Sequence, residues 1–352
     1  MPSRRASVSM KDVAALAGVS VGTVSNVLNS PNLVSEQTAA RVQDAIDKLG
    51  WVRNESARQL RAGRSNSIGF VAMDISNPFF TDILRVVEDE VLGAGYAVQV
   101  GNSALDPARE QAQLHLFEQQ RVRGVLLAPI GDSSDRVAQL RRRGIPVVVL
   151  DRAGQASNVC SVSVDDVEGG RLAVDHLIGL GHRSIAVVGG PGALQQVKDR
   201  RLGAALASSG HHEQVRLLTL STTHLDADSG VRAAEELVAL PDEERPTAVF
   251  ALNDLLAIGL LQGFITGGLR VPEDIAIIGY DDIAFAAAAA VPLSAVRQPR
   301  SLLGQKAAQL LFDEIDAAES DQPHEHQQVV FTPELVVRRS TVSPALTRRI
   351  AG

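Results

Sequence analysis

The chain is 352 residues long, too long for one ordinary hydrophobic core, so two or three domains are expected. Its 45% hydrophobic and 21% charged residues are those of a globular protein, and no apolar run reaches the 18 residues of a membrane-crossing helix. The net charge of −7 is unevenly divided: residues 1–64 hold nine Lys/Arg against five Asp/Glu, and the remainder 25 against 36. A basic head on an acidic body puts phosphate attraction in one place. The N-terminus carries basic residues but no apolar stretch with a cleavage site, so a cytoplasmic location is expected. Cys160, the single cysteine, can form neither an internal disulfide nor a multi-thiolate metal site, and is expected to be a small core residue.

Ser9 can cap a first helix, with Asp12 near its positive end and Val13, Ala14 and Ala17 at helical spacing. Gly18 supplies a positive-φ stop, and only Val19 separates it from a second cap at Ser20. The second helix runs through Val24, Val27 and Leu28 to Asn29. Two short helices joined this tightly cross steeply, as in a helix-turn-helix that lays its second helix in the major groove. The exposed positions of that helix are Val21, Gly22, Thr23, Ser25 and Asn26. Asn can bond adenine bidentately, and Thr or Val can meet a thymine methyl. Ser20, Ser25 and Asn29 suit phosphates. A third helix, capped by Ser35 and stopped by Gly50, is expected to bury Val42, Ile46 and Leu49. The alternative is a three-helix fragment with no special purpose.

Beyond Ser65, short apolar strands alternate with helical periodicity. The strand candidates are Ser67–Met73, Tyr96–Gly101, Gly124–Pro129, Pro146–Leu150, Ser184–Val188, Ala248–Ala251 and Ile275–Gly279. This pattern is that of parallel sheets covered on both faces, repeated too often for one sheet, so an α/β core of two lobes with a cleft between them is expected. Ligands of such sheets sit beyond the carboxyl ends of the strands. Those ends carry Asp74 to Phe80, Asp151-Arg152, Asn253-Asp254, Asp281-Asp282 and Gln298, with Arg200 in a loop-to-helix region. Carboxylates and amides pair with hydroxyls, Arg donates in a fixed fork, and aromatic rings cover the apolar face of a sugar. Asp74 alternatively only ends a strand, Asn253-Asp254 only cap a helix, and Phe79 and Phe80 belong to the core.

The run Val8-Ser9-Met10-Lys11-Asp12-Val13-Ala14, Ala17-Gly18-Val19-Ser20, Thr23-Val24-Ser25 and Val27-Leu28-Asn29 resembles the lactose-repressor (LacI/GalR) family of bacterial regulators. The resemblance continues through Arg53-Asn54 and Ala57-Arg58-Gln59-Leu60 and along nearly the whole chain. It implies a headpiece over 1–52, a hinge helix over 53–64, and a periplasmic-sugar-binding-protein-like core over 65–340 followed by a tail, 341–352. Chain crossings near Val164, Pro292 and Glu325 would divide that core into lobe 1 (65–164, 293–324) and lobe 2 (165–292, 325–340). In the family the hinge folds when two copies meet over the operator, with Leu60 as the minor-groove wedge and Ala57 beside it. The 11 residues from Asn54 to Arg64 are too short to be a stable helix alone, and an apolar wedge bends the duplex. The alternative for Leu60 is packing on the core. The groove-reading positions correspond to Val21, Gly22 and Asn26. Arg53 stands where the family often has proline.

Likeness to ribose-binding proteins and their repressor relatives implies effector contacts at Asn77, Phe79, Phe80, Asp151, Arg152, Arg200, Asn253, Asp281 and Gln298. Leu225 stands where relatives often place a stacking aromatic. Ribose or another pentose is the implied effector.

No cofactor, metal or catalytic residue is expected. Gly189-Gly190-Pro191-Gly192 lacks the spacing of a nucleotide-binding loop. His211-His212 and His324-Glu325-His326 are expected in solvent-facing loops. The tail lacks heptads, so a homodimer on a near-palindromic double-stranded operator is expected, released when sugar binds the core cleft. The alternatives are a corepressor-activated regulator, a sugar-binding protein without a DNA role, and an α/β enzyme acting on a sugar.

Overall fold

The structure, a computed structural model, describes residues 8–51, 65–152, 158–211 and 214–342. Contacts divide the chain into two units, Met1–Gly63 and Arg64–Gly352. Ala57, Leu60 and the rest of the hinge helix, together with His212 and nearly all of the tail, lie outside the described residues.

The N-terminal unit holds α1 (Met10–Ala17), α2 (Val21–Asn29) and α3 (Glu36–Leu49). The Asp12 carboxylate accepts from both the backbone N–H and the hydroxyl of Ser9, 2.8 and 2.7 Å, which fixes the start of α1. Gly18 ends α1 at φ 64°, a left-handed conformation open to glycine at little cost. Ser20 then accepts from the Thr23 N–H and opens α2. From α3, Arg41 donates to the carbonyls of Ala17 and Gly18, so the turn between the first two helices is pinned by the third. Val13, Ala14, Ala17, Val24, Val42 and Ala45 form the small core. Ile46 and Leu49, expected to be buried, pack only partly against it, while Ala45 is buried with Val42 on the same helix.

The second unit contains two six-stranded sheets. The first is built from β1 (Ser67–Ala72), β2 (Ala97–Asn102), β3 (Gly124–Leu127), β4 (Val147–Leu150) and β5 (Cys160–Val164). Helices α4 (Pro78–Gly93), α5 (Pro107–Gln119) and α6 (Ser134–Arg142) connect them. The second has β6 (Ser184–Val188), β7 (Arg216–Leu220), β8 (Ala248–Ala251), β9 (Ala276–Asp281) and β10 (Ser294–Arg297). Its helices are α7 (Asp166–Gly179), α8 (Gln195–Gly210), α9 (Ala227–Val238), α10 (Asp254–Thr266) and the short α11 (Ala284–Ala287). The chain ends with α12 (Arg300–Glu319), β11 (Gln328–Phe331) and β12 (Glu334–Val336). The strand orders are β11-β5-β4-β3-β1-β2 and β12-β10-β9-β8-β6-β7. Among the described residues, pairing is parallel except between β10 and β12. Strands β1, β3, β4, β5, β8 and β9 are buried along their whole length, as strands covered on both faces must be.

Two expected crossings move. The strand after Pro292 is β10, which pairs with β9, so the chain leaves the second lobe only after Arg297. Likewise β11, beyond Glu325, pairs with β5, and the chain returns to the second lobe between Phe331 and Glu334. Proline and charge mark a turn in sequence. The backbone donors and acceptors of Ser294–Arg297 and Gln328–Phe331 are satisfied only by the sheet the chain has not yet left. At the crossings the Asp165 N–H donates to the Phe331 carbonyl, 2.9 Å, joining the two strands.

In the second lobe α7 and α8 touch backbone to backbone. A Cβ at Gly203 would fall on the Val167 carbonyl, and one at Gly170 on that of Arg200. This approach sets where the α8 side chains emerge.

Candidate functional site

On the headpiece, Val21, Gly22, Asn26 and Asn29 are exposed on α2, while Val24 on its opposite face is completely buried. Thr23 and Ser25 are half-buried, and Thr23 is hydrogen-bonded to the Ser20 hydroxyl, 2.9 Å. Asn29 donates to the Ser25 carbonyl and hydroxyl, 2.8 and 3.2 Å. The outward face therefore offers small side chains and one amide, Asn26, for base edges, with Ser20 at the helix start where a phosphate is favoured.

In the core, the strand ends of both lobes meet at a cavity of about 30 Å³. Asn77, the N-cap of α4, holds the Phe79 N–H with its oxygen and donates to Asp281 Oδ2 across the cleft, 3.2 Å. Gln298 donates to Asp281 Oδ1, 2.7 Å, so this carboxylate is held from both sides. A second bridge runs from Gln196 on α8 to the carbonyl and carboxylate of Asp151, 2.9 and 3.0 Å. Asp151, Asp281 and Asp282 all have positive φ, 58°, 104° and 57°. Aspartate tolerates this region better than most residues, and strained backbone concentrates where function needs it.

Arg200 is the charge at the centre. Its Nε donates to Asp166, 2.7 Å, and a terminal nitrogen to the Leu252 carbonyl, 2.6 Å. The guanidinium lies 3.7 Å from the Tyr280 ring centroid. Burial opposes its charge, but Asp166, Tyr280, Asp281 and Asp151 outweigh that cost and raise its pKa. Burial pushes Asp151 up to about 8, helped by the nearby Asp166 charge, and raises Asp281 as well. Asp254 is also raised, again chiefly by burial, and its carboxylate accepts from the Ile283 N–H, 2.7 Å. It holds the loop after β9 in place.

Of the residues named from sequence, Asn77, Phe79, Phe80, Asp151, Arg200, Leu225, Asn253 and Asp281 line this one cavity. Phe79 and Phe80 pack edge to face, 5.1 Å between centroids, and are buried in the core as well as lining the cleft. Asn253 caps α10 and donates to the Leu225 carbonyl, 2.9 Å. Gln298 stands one hydrogen bond behind the lining. Two residues are not brought in. Asp74 accepts from the backbone and hydroxyl of Ser76, closing its own turn. Arg152 donates to the Gly131 carbonyl and faces neighbouring hollows. Gln196, Leu194, Val197 and Met73 were missed. Gln196 was findable, since it lies one helical turn before Arg200.

His211 is exposed as expected, but the His324-Glu325-His326 segment, also expected to face solvent, needs correction. His324 and His326 are half-buried and pack against Cys160, 3.3 and 3.6 Å from its sulfur. The two histidines, two residues apart, turn to one side, while Glu325 between them is exposed.

Residues 9–54 match the family model of bacterial regulatory proteins, lacI family, and residues 174–341 the periplasmic binding protein-like domain. The chain is 34% identical over 331 residues to the HTH-type transcriptional repressor PurR of Actinobacillus pleuropneumoniae serotype 3, covering 94% of this chain and 97% of the relative. It is 32% identical over 333 residues to the HTH-type transcriptional regulator DegA of Bacillus subtilis, covering 94% and 97%. Among solved structures, a lac repressor dimer bound to operator and an anti-inducer matches with a TM-score of 0.80 at 28% identity, over 96% of this chain and 100% of that one. A regulator from Enterococcus faecium with bound ribose matches with a TM-score of 0.70 at 32% identity, over 78% and 98%. With the helix-turn-helix, the two-lobed core and relatives matched over almost their whole length, the chain belongs to the lacI family of bacterial regulatory proteins.

Proposed function

We propose that the chain is a homodimeric repressor that grips a near-palindromic operator through α2 and the hinge segment, and that a pentose-sized sugar in the core cleft releases it. The observation that carries this reading is the pair of direct hydrogen bonds spanning the cleft, Asn77 to Asp281 and Gln196 to Asp151. Both join the lobes through groups that also suit sugar hydroxyls. The cavity beside them is large enough for little more than one water, so a ring sugar has to replace both bridges with its own hydroxyls. Arg200 and Asp281 then orient the ring, while Phe79 and Phe80 cover its apolar face. A ligand shifts the lobes only by binding one arrangement better than the other, so that exchange of bridges is where the differential affinity lies. Ribose bound to a relative of 32% identity supports the pentose class.

The apolar share of the lining, Met73, Leu194, Val197 and Leu225, favours a flat heterocycle such as a purine base as a second reading. Thermal-shift screening of the full chain against pentoses, hexoses, nucleosides and purine bases separates the two. A ligand at about 100 times its Kd stabilises the fold by about 2.7 kcal/mol. A pentose that raises the melting temperature and releases operator DNA in a gel shift supports the proposal. A pentose that strengthens operator binding reverses its sign, and a response to purine bases alone replaces the sugar.

A further inference from the structure

We propose that Cys160, Glu314, His324 and His326 form a binding site for a borderline-soft divalent metal ion of the Zn²⁺ type, at the end of the first sheet opposite the cleft. One ligand atom from each of the four residues lies within 4.8 Å of all the others. Cys160 opens β5, Glu314 projects from α12, and the two histidines come from the segment entering β11. Since β5 and β11 are paired and parallel, and ligands of the cleft use the other ends of these strands, this cluster is separate from the effector site.

Three of the six spacings between ligand atoms are already those of a coordination shell. Bonds of about 2.3 Å to sulfur and about 2.0–2.1 Å to nitrogen or oxygen in a tetrahedron place neighbouring ligand atoms about 3.3–3.6 Å apart. Cys160 Sγ stands 3.3 Å from His324 Nε2 and 3.6 Å from His326 Nδ1, and His326 Nδ1 stands 3.3 Å from Glu314 Oε1. In the metal-free site Arg141 donates to His326 Nε2, which leaves the ring proton on Nδ1, 3.3 Å from the buried Glu314 Oε1 and too far for a good hydrogen bond. A cation aimed at by all four groups gives that oxygen a closer partner.

Thiolate and imidazole ligands select this class of ion over Mg²⁺ or Ca²⁺, which take oxygen shells. On binding, the sulfur–metal bond forms as the thiol proton leaves to solvent. His326 coordinates through Nδ1 and carries its ring proton on Nε2. Arg141, whose Nη2 now lies 2.7 Å from that Nε2, turns away, with Glu314 Oε2 already 3.9 Å from its Nε. The ion then ties β5, α12 and the entry to β11 together, next to the two strands through which the chain passes between lobes.

The test uses the full chain without an affinity tag, stripped with chelator and titrated with Zn²⁺ and Co²⁺. One ion per chain is expected, with the thiolate-to-cobalt charge-transfer band and the strong visible bands of a tetrahedral site, and with a raised melting temperature. His324→Ala and His326→Ala should each weaken binding at least about tenfold, and Cys160→Ser should abolish the charge-transfer band. His324 is half-exposed, so an unchanged melt of metal-free His324→Ala establishes that this variant folds. Absence of stoichiometric binding by the parent chain overturns the proposal, as does unchanged affinity in His324→Ala.

Discussion

In the headpiece the polar contacts that start helices are made by near neighbours: Asp12 with Ser9, Ser20 with Thr23, and Ser35 with Thr38. In the core cleft, Gln196 reaches back 45 residues to Asp151, and Asn77 meets Asp281 from 204 residues away. The first kind is exposed and forms as soon as its helix does. The second is wholly or partly buried, and is made only when two sheets are complete. Exposed caps are worth little and fail locally, whereas a buried network loses far more when one member goes, because the partner left behind is desolvated and unpaired.

Arg200→Ala should break the comparison most severely. It strands Asp166 beside Asp151 and Asp281, at a cost of about 3–5 kcal/mol. Denaturant unfolding of the core measures it, and the effector-induced thermal shift should disappear as well. Gly203→Ala comes next. The added Cβ meets the Val167 carbonyl, a backbone atom that cannot rotate away, so α7 and α8 must separate at about 1–3 kcal/mol. Loss of the effector response together with stability would show that this helix contact places Arg200; a core of unchanged stability would contradict the packing argument.

Asp151→Asn sharpens the contrast through pH. The Asp151 pKa is raised in the folded chain, so between the ordinary carboxylate range and about 8 the folded state binds more protons than the unfolded. Its contribution is therefore fully present at low pH and is lost as pH rises through that window. Asparagine still accepts from Gln196 and tolerates the positive φ, but cannot ionise. The variant should match the parent near pH 4 and exceed it at pH 8 by up to about 5 kcal/mol. A parallel pair of stability–pH curves would show that Asp151 is ionised in the fold.

Ser20→Ala is the smallest. Removing an exposed cap costs about 0.5–1 kcal/mol, confined to the headpiece. Operator affinity should fall while the effector thermal shift stays unchanged.

Much of the headpiece was legible because its signals are local. Ser9, Ser20 and Ser35 mark helix starts, Gly18 and Gly50 mark stops, and the apolar spacing marks the buried face. In the core, strands with continuous Val/Ile runs were readable for the same reason, as were the polar residues at their carboxyl ends. Strands β5, β7, β10, β11 and β12 went unnamed because their sequences mix polar and apolar residues and acquire strand character from the neighbour they pair with. Asp74 shows the limit of reasoning by strand ends, since its side chain is consumed by its own turn.

The sequence by itself determined the alternation of strand and helix in the core, the helix-turn-helix and the residue types that surround the cleft, because each follows from propensity, periodicity or capping within a few residues. Only the tertiary structure decided which sheet β10 and β11 join, which carboxylates burial pushes to a higher pKa, and that Cys160, Glu314, His324 and His326 converge. Those outcomes depend on contacts between residues far apart in the chain and on burial, and neither has a local pattern to announce it.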